Sequence, residues 1–265
     1  MTNDIISPDL SLVMIVRDEL INPAGGLLPV LEKQSSYYPE IVILDTGSKD
    51  GTRELLEHLS GQDIFPNLKV HDAKFWGYSH ARNKLNSLVN TKYTLSLDSD
   101  EILSESTSAL IQTAIGKTPN FGFINVPINQ VYDSGGVYIK RCQWNCWNNR
   151  IYSIKGAKFH DGGSKEFFNG EYLDHTGFKL GVPNTQIIHF VPSRDELVKK
   201  SKQWTSEVYN HVKTQSSPSS MKNFLDWKLP SPKILERYRI DFSDTVQKLT
   251  QLGYDLPDRV LELVE

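Results

Sequence analysis

Tyr93-Thr94-Leu95-Ser96-Leu97-Asp98-Ser99-Asp100-Glu101 is the stretch on which the reading of the fold turns: a short apolar run that stops in a cluster of carboxylates. A strand buried on both faces reads as an unbroken apolar run, and its polar stop marks where it leaves the core. The same design occurs twice upstream. Residues 10–16 run into Arg17-Asp18-Glu19, and residues 41–44 run into Asp45. Helical spacing fills the gaps: Leu27, Leu28 and Leu31 after Gly25-Gly26; Leu55, Leu56 and Leu59 between Gly51-Thr52 and Gly61; and Ala81, Leu85, Leu88 and Val89. Residues 68–70 supply a further strand. Strands alternating with helices predict an α/β fold with a mostly parallel sheet flanked by helices. Ligands of such sheets sit beyond the carboxyl ends of the strands, where each of these acidic clusters falls.

From about residue 120 the texture changes. Residues 121–131 and 137–152 are aromatic-rich, broken by Gly135-Gly136, and read as antiparallel strands. Residues 156–170 read as a Gly-rich functional loop and 187–191 as a further strand. Beyond Pro192, residues 196–212 read as helix, Ser216-Ser217-Pro218-Ser219-Ser220 as a linker, and the remainder to Glu265 as short amphipathic helices. The expected organisation is a main domain over 1–212 and a helical C-terminal extension over 213–265.

The 265 residues suffice for one large domain with a smaller appendage. Hydrophobic residues at 38% and charged residues at 23% exclude a disordered chain. A formal charge of −3 argues against a protein that neutralises a phosphate backbone, so no nucleic-acid partner is expected. No basic stretch leads into an apolar core at the N-terminus, and no apolar run is long enough for a transmembrane segment. A cytoplasmic protein is expected, with peripheral membrane contact left open. Cys142 and Cys146, one pair in Cys-Gln-Trp-Asn-Cys, lack the further ligands of a structural zinc site and read as reduced thiols or a local disulfide.

Asp98 and Asp100, one residue apart at a strand end, can turn toward one hard cation. Mg²⁺ and Mn²⁺ favour oxygen ligands, and Mg²⁺ is commonly shared between one or two carboxylates and substrate phosphates. Alone, the triplet reads equally well as a solvated turn. Asp45 ends another buried strand, and Gly47 in the following Thr46-Gly47-Ser48-Lys49-Asp50-Gly51-Thr52 allows a ligand close to the backbone. Asp45 can accept hydrogen bonds from a base or a ribose, whereas Asp50 suits a helix cap. His189 has two readings, a further metal ligand or a hydrogen-bonded core residue. Trp144, Trp147 and Tyr138 offer faces for stacking a sugar, or plain core packing.

Taken together, Met14-Ile15-Val16-Arg17-Asp18-Glu19, the segment from Leu44 to Thr52, Ala81-Arg82-Asn83 and Leu97-Asp98-Ser99-Asp100-Glu101 resemble family 2 glycosyltransferases in order and spacing. The resemblance covers residues 9–115 well and continues faintly to about 205. It implies a GT-A-type, Rossmann-like fold with a nucleotide-binding half over 9–118 and an acceptor half over 119–212. It also implies an inverting, metal-dependent hexosyl transfer from a nucleotide-sugar, a UDP-sugar being favoured, with Mn²⁺ or Mg²⁺ as cofactor. The acceptor would be a glycan, a lipid-linked molecule or a peptide. By this analogy Val16, Arg17, Glu19, Asp45, Arg82 and Asp98 meet the donor nucleotide, Asp45 at the nucleobase and Asp98 at the ribose or metal. Asp98, Asp100 and His189 are the candidate metal ligands. Arg82 either pairs with the diphosphate or forms a buried pair with Asp98 or Asp100. One departure, Arg-Asp-Glu in place of the family's Lys-Asn-Glu, leaves the contact of residue 18 open.

Inverting transfer needs a general base on the acceptor. Arg150-Ile151-Tyr152 is similar to the Arg-Leu-Phe of one subgroup, and Asp161-Gly162-Gly163-Ser164-Lys165-Glu166 stands where that subgroup has a His-Glu pair, with Lys165 replacing the His. Glu166 is the candidate base, with Asp161 behind it. Two other readings remain. A nucleotide-sugar-forming nucleotidyltransferase has a similar sheet, but its Gly-rich loop after the first strand is not matched by Arg17-Asp18-Glu19. An inactive nucleotide-sugar-binding protein would not need the triplet carboxylates or Glu166.

Overall fold

The computed structural model describes residues 9–20, 22, 26–61, 64–118, 120–133, 137–141, 150–161, 171–174 and 176–191. Glu166, Cys142, Cys146, Trp144, Trp147, the domain boundary at 212 and the helices expected beyond Pro192 lie outside them.

The strands are β1 Leu10–Val16, β2 Ile41–Asp45, β3 Leu68–Asp72, β4 Tyr93–Ser96, β5 Glu101–Leu103, β6 Phe123–Ile124, β7 Ile128–Asp133, β8 Val137–Arg141, β9 Ile151–Ser153, β10 Lys158–Asp161, β11 Glu171–Asp174, β12 Lys179–Leu180 and β13 Ile187–Val191. The helices are α1 Leu27–Gln34, α2 Thr52–Gly61, α3 Tyr78–Leu88 and α4 Glu105–Lys117. Seven strands form the main sheet in the order β12-β6-β9-β4-β1-β2-β3. β1, β2, β3 and β4 run parallel, and β9 lies antiparallel between β4 and β6. β13 sits between β5 and β7 in a four-stranded sheet completed by β8, and β10 pairs with β11 as a separate ribbon. This is the α/β arrangement, a mostly parallel sheet flanked by helices, that the sequence and its GT-A resemblance imply.

Alternation along β1 explains the layers. Leu10, Leu12, Met14 and Val16 join Ile41, Ile43, Leu27, Leu31, Leu56 and Ile111 in the principal core, on the face covered by α1, α2 and α4. Val13 with Val42 and Leu44 points to the other face, where Ala81 and Leu85 of α3 cover it. A strand buried on both sides cannot show a polar stripe, so its sequence is continuously apolar. Gly26, ahead of α1, has φ 116°, and a Cβ there would lie 2.7 Å from the Leu20 carbonyl oxygen. Only glycine fits that entry.

Several elements depart from the sequence reading, among them the short strands β5, β11 and β12. Residues 158–161, expected within a loop, form β10. α4 adds a helix to those anticipated, started by Ser104, whose hydroxyl accepts from the Thr107 N–H at 3.1 Å. Among the described residues no helix is long and apolar enough to cross a membrane.

From β1 the strand order runs to β2 and β3 on one side and to β4 on the other, so it reverses at the β4–β1 boundary. That switch point is where a cleft opens in such folds. At the opposite end of the sheet, buried Glu40 ties the strands together. It accepts from the Ser11 hydroxyl at 2.7 Å, the Lys69 ammonium at 2.5 Å and the Asn90 backbone N–H and side-chain amide at 3.0 and 2.8 Å. Burial pushes its carboxyl up, but Lys69, Asn90 and Ser11 together outweigh this and hold it at about 2, below the ordinary 4.5.

Glu40→Gln should therefore lower stability by about 1–3 kcal/mol in urea unfolding at pH 7, because a charged acceptor with several donors is lost. The folded pKa is depressed, so the stabilisation is fully present above pH 4.5 and is lost as pH falls toward 2. The wild type should lose more stability than the variant across that window. Equal acid sensitivity of the two would show that Glu40 is not the linked group.

Candidate functional site

The strand ends of β1, β2 and β4 and the arriving β13 build the site. The triplet 98–100 is pinned on every side. Glu101 N–H donates to the Asp98 carbonyl at 3.0 Å, and the Glu101 side chain accepts in return from Asp98 N–H at 2.9 Å. Asn22 donates to the Ser99 carbonyl at 2.8 Å, and Phe190 N–H donates to the Asp100 carbonyl at 3.0 Å. A turn with so many fixed partners holds its side chains in set directions.

Two guanidinium groups grip Asp98. Arg82 Nη2 donates to Oδ1 at 3.1 Å and Arg150 Nη2 to Oδ2 at 3.4 Å, while the carboxylate side chain keeps 44% of its surface exposed. Desolvation opposes ionisation, but Arg150 and then Arg82 overcome it and hold Asp98 well below the usual carboxylate range. Arg82 also donates to the Ser96 hydroxyl, and Arg150 to the Ser96 carbonyl at 3.4 Å. Arg82 thus makes the pair with Asp98. Beneath it, Arg150 meets fully buried Glu101. Burial pushes the Glu101 carboxyl up to about 7, with Arg150 pulling the other way and Asp98 adding to the rise.

Asp100 faces His189 rather than the arginines. β13 sets His189 opposite Glu101 in antiparallel register, and His189 Nε2 lies 3.5 Å from Asp100 Oδ1. Desolvation alone would lower the imidazole pKa; Asp100 first, then Glu101 and Asp98, lift it to about 9. Among the described residues no group of three or more His, Cys, Asp or Glu side chains is arranged around a common point for a metal. Asp100 and His189 are brought together, while Asp98 pairs with its two arginines.

Asp45 is buried at the end of β2. Its Oδ1 accepts from Gly47 N–H at 2.7 Å and Ser48 N–H at 2.9 Å. Its Oδ2 is buried and has no hydrogen-bond partner among the described residues. Gly47 has φ 103°, and a Cβ there would meet nothing within 4 Å, so the space at Gly47 is open. The 46–52 segment is laced to the end of β1: Asp18 N–H donates to the Ser48 hydroxyl, Lys49 N–H to Asp18 Oδ1, Glu19 N–H to Thr52 Oγ1 and Leu20 N–H to Asp50 Oδ2. Asp50 also accepts from Thr52 N–H at 2.9 Å, the capping role expected of it. Residue 18 has φ 56°, a left-handed conformation that Asp, like Asn, tolerates. Val16 is a floor residue: its side chain is in the core and its carbonyl accepts from Thr46 N–H and Oγ1. Arg17 and Glu19 lie at the rim, Arg17 Nε being 4.0 Å from Asp18. Asp161 ends β10.

Sequence reasoning missed Arg150, Glu101 and Asn22. Glu101 carried a usable signal: an acid opening an apolar run is expected to be buried, and a buried carboxylate needs a cation. Which arginine answers it cannot be read locally, since Arg150 is 49 residues away.

Removing Arg150 should expose this dependence. Arg150→Met should destabilise by about 3–5 kcal/mol, the usual cost of stranding one member of a buried pair. Adding Glu101→Gln should recover part of the loss, giving a coupling of about 0.5–3 kcal/mol in a double-mutant cycle followed by urea unfolding. Strict additivity would mean that the two side chains do not support one another.

The chain is similar to known proteins. The family model described as glycosyl transferase family 2 matches residues 11–167. Among solved structures, TarS 1-349 of S. aureus is 15% identical, the match covering 96% of this chain and 82% of that chain with a TM-score of 0.48. Its complex with UDP-GlcNAc matches at 14% identity over 96% of this chain and 83% of that chain, TM-score 0.47. The mannosyltransferase PcManGT from Pyrobaculum calidifontis, in complex with GDP-Man and Mn²⁺, matches at 12% identity over 97% and 78%, TM-score 0.47.

Proposed function

This chain belongs to glycosyl transferase family 2, and from that premise we propose that it moves a hexosyl group from a nucleotide-sugar, a UDP-sugar by preference, to a glycan, lipid-linked or peptide acceptor with inversion. The observation that carries the nucleotide part of this reading is the buried Asp45 Oδ2, which has no partner among the described residues, in a turn whose Gly47 leaves open space. A buried carboxylate oxygen without a donor is costly unless a ligand supplies one. The ring N–H of uracil is such a donor, with Val16 as floor and Arg17 and Glu19 as rim.

Asp98 stays ionised between its two arginines and is half-exposed, which suits it to accept from ribose hydroxyls. Arg82 serves the donor through Asp98. Asp100 and His189 offer one carboxylate and one imidazole within 3.5 Å. That donor set fits Mn²⁺ or Mg²⁺ if phosphate oxygens complete the coordination, with Asp98 at its margin. When bound, the cation would supply Lewis-acid neutralisation of the departing diphosphate. The acceptor hydroxyl attacks the anomeric carbon as the bond to the phosphate oxygen breaks, and its proton passes to a base. We assign the base to Glu166, with Asp161 behind it, on the strength of the subgroup resemblance.

The reading is tested by donor hydrolysis across UDP-, GDP- and dTDP-sugars with and without Mn²⁺; turnover of none of them would end it. Asp45→Ala should weaken UDP binding about 10- to 100-fold by calorimetry and raise the donor KM more than it lowers kcat. Unchanged affinity would make Asp45 a turn residue only. Asp100→Asn should cost roughly 10²-fold or more in rate while leaving the fold intact by circular dichroism. Full activity of that variant, or of the wild type in excess chelator, would remove the metal from the proposal.

A further inference from the structure

The residue next to Arg82 turns away from the carboxylate cluster and toward β10. Asn83 Nδ2 donates to the Phe159 carbonyl at 2.8 Å, and Asn83 Oδ1 accepts from Phe159 N–H at 2.9 Å. In a strand, the N–H and C=O of one residue point to the same side. Phe159 therefore turns both groups away from its partner β11 and toward α3, and one side-chain amide stands where a neighbouring strand would be. An apolar side chain of similar size could fill the space, but only a group that both donates and accepts can answer both atoms.

The same helix face reaches further into this region. Asn86, three residues on, accepts from the Tyr152 hydroxyl at 2.9 Å, and the Tyr152 ring meets Phe159 edge-on with centroids 5.4 Å apart. Tyr152, Phe159 and Leu173 form a small core of their own under the β10–β11 ribbon. Arg82, one residue before Asn83, turns instead to Ser96 and Asp98. Consecutive residues of α3 thus hold the donor-side carboxylate and the strand that ends at Asp161.

We propose that Asn83 is a positioning residue for sugar transfer: its amide fixes β10, and with it the backbone at Asp161, relative to Arg82 and Asp98. The proposal rests on the glycosyltransferase reading above. Loss of the clamp lets β10 shift against α3 while the donor-side residues keep their places, so it affects turnover and not donor affinity.

The test uses the full chain and the variants Asn83→Ala and Asn83→Asp, the latter keeping the acceptor for Phe159 N–H and losing the donor. Amide hydrogen exchange is read at residues 158–161, UDP affinity is measured by calorimetry in Mn²⁺, and kcat is taken for hydrolysis of whichever sugar nucleotide the wild type turns over fastest. In Asn83→Ala, exchange at Phe159 should quicken with β1 and β4 unchanged. Its kcat should fall roughly 10- to 100-fold, the scale of an ångström misplacement of reacting groups, with UDP affinity preserved. Asn83→Asp should lie between this variant and wild type, and it decides by the same readouts if the alanine variant does not fold. Unaltered exchange at Phe159, normal kcat, or UDP affinity falling in step with kcat would each overturn the positioning role. If the wild type itself hydrolyses no sugar nucleotide, the glycosyltransferase reading fails and takes this role with it; a normal variant beside an active wild type sinks the positioning role alone.

Discussion

The grip of Arg82 and Arg150 on Asp98 is the interaction on which the carboxyl end of the sheet depends. Asp98, Asp100 and Glu101 crowd acidic groups into one turn, and like charges that close repel by several kcal/mol at the modest dielectric of a protein margin. Two guanidinium groups from different parts of the chain bring the charge of the cluster back toward balance. Arg150 reaches both Asp98 and the fully buried Glu101. The turn leaves β4 with Asp98 paired to the arginines and Asp100 to His189.

That separation divides the labour within the triplet. Asp98, bound by arginines, is a fixed anion with an exposed edge. Asp100 falls within reach of His189 because β13 pairs with β5 and its Phe190 N–H holds the Asp100 carbonyl. Two acids flanking Ser99 in a symmetric motif thereby acquire different environments. Their roles in the proposed reaction differ for that reason and not because of any difference in their chemistry.

A second set of contacts keeps the nucleotide side in shape. The ends of β1 and β2 exchange hydrogen bonds through Asp18, Glu19, Ser48, Asp50 and Thr52, so two loops behave as one rim. Asp45 sits inside this rim with one oxygen used by the turn and one left over. Among the described residues, α3 covers its face of the central sheet and joins the donor side to the β10–β11 ribbon.

Much of this was legible before any coordinates. Apolar runs ending in polar residues fixed β1, β2 and β4, because a doubly buried strand has no choice but to be apolar and an exit from the core has to be polar. Spacing identified α1 to α3, and the strand-end rule located Asp45, Asp98 and Asp100 together. β5, α4 and β10 were not foreseen. β5 has only three residues and is a strand because β13 lies beside it. The pairings Arg150–Glu101, His189–Asp100 and Asn83–Phe159 were equally out of reach, since each joins residues dozens of positions apart. The sequence by itself determined the layered α/β frame and the end of the sheet at which its acids gather, because periodicity and burial are local properties of a chain. Only the tertiary structure decided which cation faces which carboxylate, because that depends on where distant segments meet.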